Sequence, residues 1–177
     1  MSWIKTFTGK RFDYKNPTKE SICIEDTAQA LSHECRFAGH LPEFYSVAQH
    51  CVLVSQIVPE EYALEALLHD AHEAYCKDIP SPLKALIPDY RGIENSIDFV
   101  IRQKFDLPAT ISPIVKLADL ILLATERRDL ELDDGTPWPM LDGIQPSEDI
   151  LVSPVNPIQA RTMFMLRFHQ LTGEMAA

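Results

Sequence analysis

The chain has 177 residues, 46% of them hydrophobic, with 16 Lys and Arg against 26 Asp and Glu and a formal net charge of −10. That length supports one domain, residues 1–177, with a core of its own, and the acidic balance excludes a general surface for polymeric nucleic acid, which needs clustered positive charge. No apolar run approaches the roughly 18–20 residues of a membrane span, and the opening "MSWIKTFTGKRF" lacks the continuous apolar block of a signal peptide, so a cytoplasmic protein with no membrane partner is expected.

From Met1 to about Glu25 the sequence mixes aromatic residues with Gly9 and Pro17 and reads as a short hairpin or loop. Helical periodicity then takes over, predicting helices over 26–34, 43–57, 60–76, 91–105, 110–131 and 156–172. Pro59 before "EEYALEALL" and Asn156-Pro157 ahead of the last segment are start signals. Two stretches break the pattern. "KDIPSPLKALIPDY" opens with prolines that favour a rigid extended turn before a short helical piece. Residues 133–157 form a Pro/Gly-rich excursion, and a loop of that length in a compact domain is usually a lid, a subunit contact or a mobile segment. The expected fold is all-α: a helical bundle with a short N-terminal hairpin and a long loop near the C-terminus. Cys23, Cys35, Cys51 and Cys76 form no C-x-x-C pair and read as buried thiols.

Within "ALLHDAHEAY" the chain places His69, Asp70, His72 and Glu73 among leucines and alanines. On a helix His69, Asp70 and Glu73 share a face by their spacing, while His72 points elsewhere. An exposed face paired with Lys or Arg is the plain alternative. Two other apolar helices carry similar anomalies: His50 among valines in "FYSVAQHCVLVSQIV", and Asp119 in "IVKLADLILLATE". Unpaired buried carboxylates cost several kcal/mol each, by rough estimate. Two imidazoles and two carboxylates (His50, His69, Asp70 and Asp119) make a ligand set for a divalent transition metal: Mn, Fe, Co, Ni or Zn.

The order H…HD…D resembles the HD-domain metal-dependent phosphohydrolases. The likeness extends over "ALSHECRFAGH", "FYSVAQHCVLVS", "EALLHDAHEAYCKDIPSPLK" and "VKLADLILLATERRDL", from about Trp3 to Leu130. It is nearest to a small prophage-type branch related to bacterial 5′-deoxynucleotidases and phage dATP triphosphohydrolases. The resemblance implies an HD-domain bundle in which His50, His69, Asp70 and Asp119 hold the metal. It implies that Glu73 is the acid/base carboxylate beside Asp70, that Arg36 grips the 5′-phosphate, and that Phe37 packs on the nucleoside. Asp78, Ile79, Pro80, Pro82 and Lys84 would then form the loop touching deoxyribose and phosphate, with Lys84 the second cation. Lys77 stands where the family pattern has Gly. His40 either helps bind phosphate or caps a turn. Arg127 and Arg128 are expected to pair with Asp129 and Glu131 at the surface, and Trp138 has no assignable role.

The expected activity is hydrolysis of the 5′-phosphate of deoxynucleoside monophosphates by a metal-activated water. The alternatives are a dNTP triphosphohydrolase releasing triphosphate, and a non-catalytic scaffold that senses nucleotides or binds a host replication protein. A small-molecule nucleotide is the expected substrate, and apolar surface on a small helical domain points to a homo-oligomer. No G-x-x-x-x-G-K-[ST] loop, H-E-x-x-H motif or G-x-S-x-G elbow is present.

Overall fold

The computed structural model describes residues 1–173. It is 56% helix and 5% strand, an all-α architecture of eight α-helices and one small hairpin. No helix among the described residues is long and apolar enough to cross a membrane.

The expected hairpin is present as β1 (Trp3–Lys5) and β2 (Arg11–Asp13), antiparallel with Ile4 opposite Phe12. Phe12 is the anchor: it is fully buried and stacks on Tyr75 with ring centroids 4.2 Å apart. α1 (Ile24–His33) follows. Its Asp26 carboxylate reaches back to accept from the Thr8 N–H and hydroxyl at 2.6 and 2.9 Å, tying hairpin to bundle.

α2 (Val47–Ile57) begins at a Ser46 cap whose hydroxyl accepts from the Gln49 N–H. The predicted start at 43 is too early, because Arg36 N–H donates to Tyr45 O and Val47 N–H to Glu34 O, which holds that approach extended. Every residue from Val47 to Ser55 is buried, so α2 is the central rod of the bundle. One face packs into a cluster with Leu31, Ile97, Ile101 and Phe164, the other into a cluster with Tyr45, Val115 and Leu122.

The predicted helix 60–76 is in fact two. α3 (Glu60–Leu67) stops and α4 (Glu73–Cys76) starts, with a run of turns between them. Ala71 N–H donates to Leu68 O and Glu73 N–H to Asp70 O, tighter i→i−3 bonds than an α-helix makes. Successive residues of an α-helix point roughly 100° apart. Leaving helical geometry is what lets His69 and Asp70, adjacent in sequence, face one centre.

α5 (Ser81–Lys84) is the short helical piece after Pro80. α6 (Pro88–Lys104) starts earlier than predicted, because Pro88 sits in the first turn, where its missing N–H costs nothing. α7 (Pro113–Asp129) starts later than predicted: Ser112 caps it and donates its N–H to buried Glu65 at 2.8 Å. α8 (Pro157–Thr172) opens with a capping box between Asn156 and Gln159. The long loop 133–157 is irregular apart from a 3₁₀ turn at Pro139–Leu141, and it is fastened throughout. Arg128 donates to Ser147 O and Ile150 O, Asp129 accepts from Val152 N–H, and the Gln49 amide bonds Ser153 O and Val155 N–H.

Candidate metal centre

Three helical segments deliver polar side chains to one point beneath the surface. His50 comes from buried α2, His69 and Asp70 from the turn after α3, and Asp119 from α7. His50 Nε2 lies 3.1 Å from Asp119 Oδ1 and 3.8 Å from Asp70 Oδ2; His69 Nε2 lies 3.2 Å from Asp70 Oδ2 and 3.8 Å from Asp119 Oδ1. Both nitrogens are buried, yet neither makes a hydrogen bond.

The other nitrogen of each ring explains why. His50 Nδ1 lies 2.6 Å from Glu126 Oε1 and His69 Nδ1 lies 2.7 Å from Ala66 O. A carbonyl can only accept, and an ionised carboxylate likewise, so both Nδ1 atoms carry the hydrogen. In its neutral form, the one that can bind a metal, a ring so held aims the lone pair of Nε2 at the shared centre. Two imidazole lone pairs and two carboxylates within ligand reach form a buried His/Asp group that could hold a metal ion. Cys51 joins its edge: its sulfur lies within 4.8 Å of ligand atoms of His69 and Asp70. Burial pushes that thiol up to about 11, which keeps it neutral.

The charges are strongly linked. Burial disfavours ionised Asp119, but the His50 and His69 rings close beside it outweigh burial and hold its carboxyl well below the usual range. Burial disfavours charge on His69 too, and the Asp70 charge outweighs it, leaving this imidazole raised well above its ordinary value. Glu73 behaves oppositely. It is 4% exposed, and burial followed by the Asp70 and Asp78 charges raises its carboxyl well above the glutamate range. Its Oε2 makes no hydrogen bond.

A cavity of about 520 Å³ opens over this centre, and Asp70, Glu73 and Asp119 line it together with Arg36, Phe37, Asp78, Ile79, Pro80, Pro82 and Lys84. Phe37 and Ala38 adopt consecutive left-handed conformations (φ 54° and 51°), a strained turn for non-glycine residues, and the Arg36 guanidinium lies 5.3 Å from the Phe37 ring centroid. Lys77, in the position read as Gly in the family pattern, keeps a glycine-type backbone at φ 78°, ψ 150°. Lys84 is less free than expected: Nζ lies 2.7 Å from Glu94 and 3.7 Å from Glu73.

Several expectations need correction. Of the two roles expected for His40 the turn is the one observed: it is exposed, does not line the cavity, and its N–H closes the turn onto Phe37 O. His72 is no bystander: it shares a second close group with Asp70 and Glu73, and its Nε2 lies 3.5 Å from Glu94. Arg128 does pair with Asp129, but Arg127 bonds Asp133 and Thr136 O rather than Glu131.

The residue the sequence reading misses is Glu126. It is fully buried and accepts three hydrogen bonds, from His50 Nδ1, from the Tyr45 hydroxyl at 2.8 Å and from Arg36 Nη2 at 2.8 Å. Burial opposes its charge, but Arg36 and His50 win and keep it ionised. Its signal was spacing: Glu126 follows Asp119 by seven residues, two turns along the same face of α7. Trp138 and Met140, from the long loop, also line the cavity.

No family model matches the chain. It is 60% identical over 172 residues to the uncharacterized protein YfdR of Escherichia coli, covering 97% of both chains. It is also 32% identical over 143 residues to the uncharacterized protein RCAP_rcc00048 of Rhodobacter capsulatus, covering 73% of both. At that identity and coverage the chain belongs to the same family as YfdR.

Proposed function

We propose that the protein is a metal-dependent phosphohydrolase of the HD-domain type that removes the 5′-phosphate from deoxynucleoside monophosphates. The observation that carries this reading is the pair of buried, unpartnered Nε2 atoms aimed with Asp70 and Asp119 at the floor of a cavity that also holds Arg36 and Lys84. An orphaned buried nitrogen costs about 1–3 kcal/mol, and a cation at that centre removes the cost twice.

His50, His69, Asp70 and Asp119 would hold the metal, and a borderline N₂O₂ donor set suits Mn, Fe, Co, Ni or Zn. Bound there, a divalent ion supplies Lewis acidity, polarising a phosphoryl oxygen and bringing a water toward deprotonation near neutral pH. The remaining tasks fall to the chain. Arg36 binds non-bridging phosphate oxygens: Glu126 takes Nη2, but the buried Nε–H has no partner and is available to an anion. Glu73, which lines the cavity beside Asp70 and whose Oε2 has no hydrogen-bond partner, accepts a proton from the attacking water in its ionised form. It then returns the proton to the leaving 5′ oxygen. The short cation inventory favours one phosphate over three. Arg36 and Lys84 are the cationic residues lining the cavity among the described residues, and each is already paired with a carboxylate.

Metal analysis of the purified protein, with products from a panel of dNMPs and dNTPs separated by chromatography, tests the reading. Glu73→Ala is expected to retain metal and lose turnover by about 10²–10⁴-fold. A fully active variant refutes the assigned role, and release of triphosphate from dATP overturns the monophosphate assignment. Turnover-free wild type with bound metal would leave a scaffold.

A further inference from the structure

Trp138 gains a role from its surroundings. The cavity above the candidate metal centre is chemically mixed. Asp70, Glu73, Asp78, Asp119, Arg36 and Lys84 give it charge, while apolar lining comes from Phe37 and the 79–82 segment and, beyond these, from Leu123 of α7 and Pro137, Trp138, Pro139 and Met140 of the long loop. An ion-lined pocket that handled phosphate alone has no use for an indole and a methionine, and Met140 is 55% exposed as it stands. An apolar wall beside an anion site fits a ligand with a charged end and a flat apolar end.

The indole is also held rigidly. The Arg127 guanidinium lies 5.1 Å from its ring centroid, a cation–π contact. Arg127 is pinned in turn, donating to Asp133 Oδ1 at 2.6 Å and Thr136 O at 2.8 Å. Asp133 and Asp134 accept from the N–H groups of Gly135 and Thr136, and Leu141 N–H donates to Trp138 O, so the loop is tied by its own turns on both sides of Trp138. Pro137 and Pro139 fix φ on either side. A platform already ordered loses little entropy when a ligand stacks on it.

We infer that Trp138 is the platform for the nucleobase, so that the loop 133–142 recognises the base while the metal centre handles the phosphate. This rests on the nucleotide reading above for the identity of the charged end. Stacking on an indole accepts any planar base, so the loop selects for the presence of a base and little for which base it is.

The chain contains two tryptophans, Trp3 and Trp138. Trp3→Phe, in the hairpin, therefore leaves Trp138 as the sole indole reporter. Titrating that metal-loaded protein with dAMP is expected to quench its fluorescence saturably, and 2-deoxyribose 5-phosphate at the same concentrations much less. In steady state, Trp138→Ala is expected to raise KM for dAMP about fivefold or more beyond any change for 2-deoxyribose 5-phosphate. Trp138→Phe should recover most of that loss. KM values for the four dNMPs should lie within a few-fold of one another. Quenching by dAMP without turnover leaves the base platform standing and removes the hydrolase reading. Turnover of dAMP without quenching, or an equal KM change for both substrates, overturns the platform and leaves the hydrolase. No quenching and no turnover overturns both.

Discussion

Glu126→Ala is the sharpest perturbation available in this structure. The carboxylate is fully buried and accepts from His50 Nδ1, the Tyr45 hydroxyl and Arg36 Nη2, so its removal strands three donors at once. Each stranded buried donor costs about 1–3 kcal/mol, and breaking a buried ion pair by deleting one partner costs about 3–5 kcal/mol. These overlap, and water can enter beside Arg36, whose side chain is 12% exposed, so a loss of roughly 4 kcal/mol is expected. Against a typical total of about 5–15 kcal/mol that is a large share. Metal affinity should fall as well. Without Glu126, His50 loses the group that keeps its hydrogen on Nδ1 and its ring in place, a change that typically costs about 10–100-fold in affinity. Glu126→Gln keeps the volume and one acceptor, and should lose affinity with a smaller loss of stability. Urea unfolding of the metal-free proteins gives the first quantity, and competition against a chelator of known affinity the second. A Glu126→Ala protein within about 1 kcal/mol of wild type, with unchanged metal affinity, refutes the reasoning.

Two further outcomes follow from features away from the centre. Burial opposes the Asp26 charge, but bonds from Cys23 and Thr8 outweigh it and hold its carboxyl below the ordinary aspartate value of 3.8. Its stabilising contribution is therefore present above pH 3.8 and is lost as pH falls through the lower folded-state value. Asp26→Asn should cost roughly 1–3 kcal/mol at pH 7 in urea unfolding, with the gap to wild type narrowing in acid; a gap independent of pH refutes the assignment. Lys77 occupies a backbone region suited to Gly at φ 78°, a strain of about 1–3 kcal/mol. Lys77→Gly forfeits an exposed ion pair with Glu34 worth about 0–1 kcal/mol and some unfolded-state restriction, about 0.4–1 kcal/mol. A net gain near 1 kcal/mol, seen as a Tm rise of about 2–4 °C, is expected, and a fall in Tm contradicts it.

What could be read from the sequence was whatever depends on local pattern. His50 and Asp119 stood out because each interrupts a helix that is otherwise apolar, and that anomaly survives any error in helix boundaries. The break after Leu67 was hidden because Leu, Ala, His, Asp and Glu continue a helical pattern, while the turn is dictated by where His69 and Asp70 must point in three dimensions. The helix predicted from 91 begins at Pro88, because that proline is itself a start signal. The partners of Glu126 and Arg127 are hidden for a different reason. In "TERRDL" these two residues look like the charged end of an exposed helix. Only the packing of Tyr45, Arg36 and the long loop against α7 reveals that two of these side chains face inward or across to Trp138. Long-range partners of that kind carry no local signature.

α7 bears Asp119, Leu123, Glu126 and Arg127, which serve respectively the candidate metal centre, the cavity wall, the His50 brace and the indole clamp. The helix thus acts as a ruler. Deleting one residue anywhere between Asp119 and Glu126 swings everything downstream by about 100° and draws it back about 1.5 Å. Asp119 would keep its place while brace and clamp turned away together. The half-buried side chains at Leu120 and Ile121 can vary in kind, but the number of residues in that interval cannot.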